Sequence, residues 1–169
     1  VRVHPTLVPV SHMLSSVDGV FNAVMVRSDL LGDTLYYGRG AGREPTASTV
    51  VADVGRAAVN LVSGSHLRDA PVPHFGQTGF KKINDITARY YLRLSVLDKP
   101  GAFAKIARSL GDHNVSIASV MQKEMDTGSY VPVVIVTHEA THREVGAALA
   151  EIDSDEVVNA RTVKLMIEE

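Results

Sequence analysis

The sequence predicts an α+β protein built in two parts, and three observations predict it. Over residues 90–167 the hydropathy pattern switches between a two-residue and a 3.6-residue period in the order βαββαβ. Ahead of it, strand-like segments lead into a helical one across a turn holding Gly38, Gly40 and Gly42. Between the two, residues 64–89 carry Gly64, Pro71, Pro73, Gly76 and Gly79 with little periodicity, so the domain boundary falls there. The predicted division is therefore 1–63, a linker over 64–89, and 90–169.

Composition narrows the function classes. A chain of 169 residues that is 45% hydrophobic is long enough to bury a core. A net charge of -2 gives no electrostatic footprint for nucleic acid or an anionic membrane, and neither partner is expected. Without cysteine there is no disulfide, thiolate nucleophile or thiolate metal site, which fits a reducing cytoplasm. No run of about 18 apolar residues and no signal-peptide pattern is present. Val1 to Pro9 reads as the middle of an apolar strand and not as a start, so the sequence predicts a piece of a longer polypeptide.

Taken in order, Val1 to Val10 is β-branched but carries Pro5 and Pro9, which suits an edge strand or extended loop. His12 to Gly19 predicts a short helical turn closed by glycine. Phe21 to Arg27 reads as a buried strand, Gly32-Asp33 as a hairpin turn, and Thr34 to Tyr37 as the returning strand. The glycine turn then lets bare amides approach a ligand, or is simply a tight turn. Its spacing, G-x-G-x-G, is not the G-x-G-x-x-G of a first Rossmann turn, and no Gly-Lys-Ser/Thr follows, which excludes a P-loop. After Pro45, the residues Val50, Val51, Val54, Ala57, Ala58 and Leu61 recur at helical spacing up to Ser63-Gly64. Thr46 and Ser48 can bond a ligand or the backbone, the backbone being commoner, and Arg39 and Arg43 read as surface charges.

Thr6 to Ser63 resembles the end of the catalytic domain of homoserine dehydrogenases. The resemblance lies in the strand Gly19-Val20-Phe21-Asn22-Ala23-Val24 followed by Tyr37-Gly38-Arg39-Gly40-Ala41-Gly42-Arg43-Glu44-Pro45-Thr46-Ala47-Ser48. It implies that Gly42 lies against a nicotinamide cofactor, NADP or NAD. It also implies that the Rossmann domain, the substrate carboxylates and the catalytic lysine all precede Val1, so that no catalytic residue is carried over. The first part is then the remnant of an α/β catalytic domain.

In the second part, Leu92, Leu94 and Val96 alternate with Tyr91, Arg93 and Ser95, predicting a half-buried strand. Phe103, Ile106, Ala107 and Leu110 predict a helix after the Asp98-Lys99-Pro100-Gly101 turn, with Asn114 as a left-handed cap. Val115 to Gln122, an Asp126-Thr127-Gly128-Ser129 hairpin and Val131 to Thr137 follow, with Pro132 expected to keep the start of that strand unpaired or bulged. Thr141 and Glu144 have capping-box spacing ahead of the stripe Val145, Ala148, Leu149 and Ile152, and Val157 to Ile167 reads as the last strand. Two helices on one face of a four-stranded antiparallel sheet make a ferredoxin-like sandwich.

Within that fold, Leu97 to Phe103 entering a helix, followed by Asn114-Val115-Ser116-Ile117, resembles an ACT domain, the small amino-acid-sensing module. A helix start near Gly101 offers amides and a positive dipole end to an α-carboxylate, and Asp98 can take the ammonium or merely serve the turn. The expected effector contacts are Asp98, Gly101, Ala102, Ser116 and Ile117. The string His138-Glu139-Ala140-Thr141-His142 matches H-E-x-x-H, but a helix capped at Thr141 leaves His138 on a strand and the two imidazoles diverge, which argues against zinc.

Two function classes follow. The first is the C-terminal part of an NAD(P)-dependent homoserine dehydrogenase, an oxidoreductase interconverting L-homoserine and L-aspartate 4-semialdehyde. The resemblance implies a role in threonine, methionine and isoleucine biosynthesis, L-threonine as feedback effector, the rest of that enzyme's chain as partner, and a homodimer or higher homo-oligomer. By itself this chain is expected to be inactive. The alternative is a stand-alone, non-catalytic amino-acid-binding or dimerisation module.

Overall fold

The computed structural model describes residues 3–64, 79–122 and 130–168. In chain order the elements are β1 (Thr6–Leu7), a 3-10 turn (Met13–Ser16), β2 (Phe21–Ser28), β3 (Gly32–Arg39), α1 (Arg43–Ser63), a 3-10 turn (Ile83–Asp85), β4 (Thr87–Leu97), α2 (Ala102–Asp112), β5 (Ile117–Gln122), β6 (Tyr130–Thr137), β7 (Ala140–Thr141), α3 (His142–Ile152) and β8 (Val163–Ile167). The class is α+β. Two compact units result: Val1–Pro9 with Phe80–Glu169, and Val10–Gly79.

The larger unit is built on one sheet in the order β1-β8-β4-β6-β5, with β7 pairing β4. Its four strands other than β1, in the order β8-β4-β6-β5, give the ferredoxin-like order, all antiparallel. Even-numbered residues of β4 face the core: Tyr90 and Leu92 are wholly buried, and Leu94 and Val96 nearly so. Val131, Val133 and Ile135 of β6 stand beside them, and Ile106 and Leu110 of α2 with Val145, Ala148 and Ile152 of α3 close the layer. Burying one such large aliphatic side chain stabilises by roughly 1.5–3 kcal/mol, so this row is the main source of cohesion.

Local signals behave as their chemistry requires. Asn114 adopts φ 59° after α2, and Val115 N–H reaches back to the Leu110 carbonyl at 2.8 Å. The α3 capping box is complete: the Glu144 N–H donates to Thr141 Oγ1 at 3.2 Å, while the Glu144 carboxylate accepts from the Thr141 N–H at 2.8 Å. His138 follows β6 and lies before the helix, so it and His142 do not share a helical face. Pro132 does not leave the start of β6 unpaired or bulged: Tyr130, Val131 and Pro132 pair in register with Leu97, Val96 and Ser95 of β4, and on the other side Pro132 lies one residue past the Gln122–Val133 pair. The Asp126 to Ser129 hairpin lies outside the described residues.

Two further expectations change in the larger unit. The last strand is shorter than residues 157–167, because the Thr162 N–H is held by Asp153 at 3.0 Å and Val157 is drawn to β4 through its carbonyl, which accepts from the Leu97 N–H at 2.8 Å. The other concerns the first nine residues. They do form an edge strand, but β1 pairs in parallel with β8, Thr6 opposite Met166 and Leu7 opposite Ile167, so they group with the later unit and not with residues 10–63.

The smaller unit is a β2–β3 hairpin in register from Phe21–Arg39 to Ser28–Gly32, with Gly32 at φ 67° in its turn, followed by α1. Gly64 ends α1 in the left-handed region at φ 65°. The strand expected to be buried is only half so: Phe21, Ala23 and Met25 are partly covered, whereas Val24 and Val26 are exposed. The apolar residues of α1 are exposed too, Val51 at 70% and Leu61 at 84%. Among the described residues nothing covers them.

Two outcomes test this division of labour. Leu92→Ala should lower the unfolding free energy by about 2–5 kcal/mol, whereas Val24→Ala should change it by less than about 0.5 kcal/mol, both read from urea midpoints by circular dichroism. The Thr141 hydroxyl and N–H hold the Glu144 carboxyl below its ordinary range. A depressed folded-state pKa gives stability that is complete above the ordinary glutamate value and is lost as pH falls through the folded one. Thr141→Ala should therefore cost about 1 kcal/mol at neutral pH through the lost cap and flatten the acid side of the stability profile.

Candidate functional site

In the smaller unit the two strands of the hairpin bring the two sequence motifs side by side. Asn22 lies opposite Gly38, and the turn beyond β3 folds back over the start of β2. The N–H groups of Gly40 and Ala41 both donate to the Val20 carbonyl at 3.3 Å, so two amides expected to be bare for a ligand are spent on holding the turn. A Cβ on Gly40 would collide with the Asn22 side chain, which explains glycine there. Sequence alone does not single out Asn22; its signal is the short step between the two motifs. Phe21 and Tyr37 stack with centroids 4.9 Å apart, and the Arg39 guanidinium lies 5.7 Å from the Phe21 ring.

Gly42 itself is the N-cap of α1, at φ 113° and ψ 160°, with no side chain to satisfy the helix start. A Cβ there would touch only Pro45 Cδ at 3.6 Å, so the backbone is approachable, and the strain of a positive φ falls on any other residue. Pro45, the third helical residue, has no N–H to leave orphaned. Thr46 turns inward to the backbone, its hydroxyl donating to the Gly42 carbonyl at 2.8 Å.

In the larger unit the loop after β4 is tightly built. The Lys99 N–H donates to the Leu97 carbonyl at 2.9 Å and the Ala102 N–H to the Lys99 carbonyl at 3.2 Å, with Gly101 at φ 86° beginning α2. Asp98 is half-buried beside it and Ala102 is buried. Lys105 pairs with Asp155 at 3.2 Å, fastening α2 to the segment before Val157. The Val157 N–H, helped by the Lys105 ammonium, keeps the Asp155 carboxyl below its ordinary range. The amides of Phe103 and Ala104, in the first turn of α2, have no intrahelical acceptor.

Ser116 and Ile117 are elsewhere. Ile117 pairs with Thr137, whose hydroxyl accepts from the Tyr90 N–H, whereas Leu97 pairs with Tyr130 at the far end of the same sheet. Seven residues of β4 separate the two levels, roughly 23 Å at ~3.3 Å per residue. One chain therefore brings Asp98, Gly101 and Ala102 together, and Ser116 with Ile117, but not the two groups with each other. Ser116 is exposed, and Ile117 is half-buried against the core.

The strand order, the glycine-started α2 and the loop chemistry define an ACT domain, and the ACT domain family model matches residues 90–157. The homoserine dehydrogenase family model matches residues 1–54. Along its whole length the chain is similar to the C-terminal part of homoserine dehydrogenases. It is 38% identical to that of Pseudomonas aeruginosa over 99% of this chain and 40% of the relative, and 41% identical to that of Mycobacterium leprae over 99% and 38%. A crystal structure of a homoserine dehydrogenase from Thiobacillus denitrificans matches 99% of this chain and 38% of its own with a TM-score of 0.80 at 38% identity. The chain thus spans about two-fifths of the length of these relatives.

Gly101 offers a direct check on the loop. Gly101→Ala should destabilise by about 1–2 kcal/mol, because a Cβ is disfavoured in the left-handed region, and Gly101→Asn should lose less. Equal urea midpoints for Gly101→Ala and the parent chain would contradict the left-handed start of α2.

Proposed function

We propose that this chain is the C-terminal portion of an NAD(P)-dependent homoserine dehydrogenase, interconverting L-homoserine and L-aspartate 4-semialdehyde, and that its ACT domain senses an amino acid, L-threonine. The observation that carries this reading is the similarity of the whole chain to the same part of several homoserine dehydrogenases, with both motif strands adjacent in space. Residues 1–63 belong by sequence to the catalytic half, 64–89 to the linker and 90–169 to the sensor. The reading carries with it a cytoplasmic location and a place in threonine, methionine and isoleucine biosynthesis.

Each part then has a physical task. The approachable backbone at Gly42 suits close packing of a flat nicotinamide ring, which fits the cofactor that supplies hydride in this chemistry. Gly40, Asn22 and the Val20 carbonyl hold that turn in shape. The exposed valines of β2 and α1 form a surface that the remainder of such an enzyme covers, since an apolar face this open seeks a partner. In the sensor, first-turn amides and the dipole of α2 take the α-carboxylate and Asp98 takes the ammonium.

Separation of Asp98 from Ser116 gives the assembly its meaning. If both groups touch one effector, the second group must come from another copy, and a two-fold dimer places each loop against the partner's exposed β5 edge. Effector binding then stabilises the dimeric arrangement and shifts the enzyme by differential affinity for two states.

Thermal unfolding with L-threonine, and with L-serine, L-isoleucine and L-methionine as comparisons, tests the sensor. Threonine at about 100 times its dissociation constant should add roughly 2.7 kcal/mol to the unfolding free energy, and Asp98→Ala or Ser116→Ala should each reduce the gain. Sedimentation should show a dimer that threonine strengthens. The purified chain should not reduce aspartate 4-semialdehyde with NADPH; turnover by it would overturn the reading that the catalytic groups lie elsewhere.

A further inference from the structure

The face of the sheet turned away from α2 and α3 carries a hollow of about 220 Å³, within the larger unit. Its walls are Arg93 and Ser95 of β4, Tyr130 and Pro132 of β6, and Arg161 and Val163 at the entry to β8. Register explains most of this grouping. The even residues of β4 are buried under the helices, so Arg93 and Ser95 stand on the other side, with Val163 opposite Arg93 and Pro132 opposite Ser95.

Arg161 is brought in by an irregularity. From Val158 to Val163 the chain takes five steps (163 − 158) against the three (96 − 93) that separate their β4 partners Val96 and Arg93, so two surplus residues fall in the stretch holding Ala160 and Arg161. Surplus residues of this kind bend a strand and re-aim a side chain. The next residue, Thr162, is buried and its N–H is held by Asp153 at the end of α3 at 3.0 Å, which pins the bend and leaves Arg161 exposed at the rim of the hollow.

The charge of the hollow is of one sign. It has two guanidiniums, the hydroxyl-bearing Ser95 and Tyr130, and no carboxylate in its walls. Elsewhere in this unit Lys99, Lys105 and Arg143 each have a carboxylate within 4 Å. Among the described residues Arg93 and Arg161 have none. Arg161 also borders a neighbouring hollow that contains Asp153, but that carboxylate is engaged by the Thr162 N–H and hydroxyl.

We propose that this hollow binds a phosphate group, free or carried on a small ester, between the Arg93 and Arg161 guanidiniums and beside the Ser95 hydroxyl. Guanidinium forks match phosphate oxygens in pairs, and two of them balance a dianion. A dicarboxylate has the same charge but divides it between two flat ends, and an ammonium-bearing ligand finds no acid in the walls. The volume is below the roughly 300–1,000 Å³ of sites for drug-sized molecules, so the ligand is small. Val163 and Pro132 supply apolar contact for the few carbons of an ester.

The test follows the arginine Nε–Hε resonances of the isotope-labelled 169-residue chain, assigned with Arg93→Lys and Arg161→Lys, as inorganic phosphate, glycerol 3-phosphate or succinate is added at constant pH and ionic strength. The Arg93 and Arg161 signals should move together and saturate with phosphate, with succinate about fivefold weaker or less effective still. Arg93→Gln and Arg161→Gln should each weaken phosphate about tenfold, and Arg93→Lys, which keeps the charge but not the fork, should lose less. Arg108→Gln removes the same charge from α2 and should change nothing. Circular dichroism on these variants establishes that any loss is not unfolding. Tighter binding of glycerol 3-phosphate than of phosphate identifies an ester as the ligand, and the opposite order identifies the free anion. Absence of a saturable shift, succinate binding equal to phosphate, or phosphate binding unchanged in either well-folded glutamine variant would overturn the proposal. No titration contains L-threonine, so failure here leaves the effector reading untouched.

Discussion

The burial of one face of β4 is the constraint on which the larger unit depends. Tyr90, Leu92, Leu94 and Val96 leave essentially no surface to water, and β4 is the only described strand with neighbours on both sides that also meets β7 and the Val158 bridge. A one-residue slip would turn Tyr91, Arg93 and Ser95 into the core and strand their polar groups without water. Fixing that register fixes β6 and β8 beside it, then the positions of α2 and α3 over them. The loop carrying Asp98 and the hollow beside Arg93 inherit their places from this single strand.

The smaller unit obeys a different economy. Its order comes from hairpin hydrogen bonds, the Arg27–Asp33 pair at 2.8 Å, the Phe21–Tyr37 stack and glycine geometry, with little buried apolar surface. The apolar spacing of α1 is real as a pattern and yields a helix, yet its side chains face outward. Periodicity announces that a face is meant to be covered; it does not say by which residues.

Features set by near neighbours in the chain were therefore legible from sequence. The Thr141 cap, the left-handed Asn114, the α3 stripe and the glycine end of α1 each need only a few consecutive residues. The order of strands followed from the alternation of periods. What was not legible depends on residues far apart: the shortening of β8 comes from Asp153 holding Thr162, and the use of two glycine-turn amides comes from the Val20 carbonyl. The effector residues show the same limit most plainly. Asp98 and Ser116 are close in sequence and alike in resemblance, but the register of β4, β6 and β5 sets them at opposite ends of the sheet.

The parallel pairing of β1 with β8 has a consequence for how the chain is strung. Leu7 is level with Ile167, which is level with Arg89, so the backbone leaves this sheet and returns to it two strands away, about 10 Å apart. Val10–Gly79 is in effect an insertion between two strands of one sheet, closing a loop of roughly 80 residues at an entropic cost on the order of 4 kcal/mol beyond a constant. A two-residue strand repays little of that when the inserted segment is a random coil. The first strand thus joins the sheet across a long stretch of chain through two residue pairs only, Thr6 with Met166 and Leu7 with Ile167.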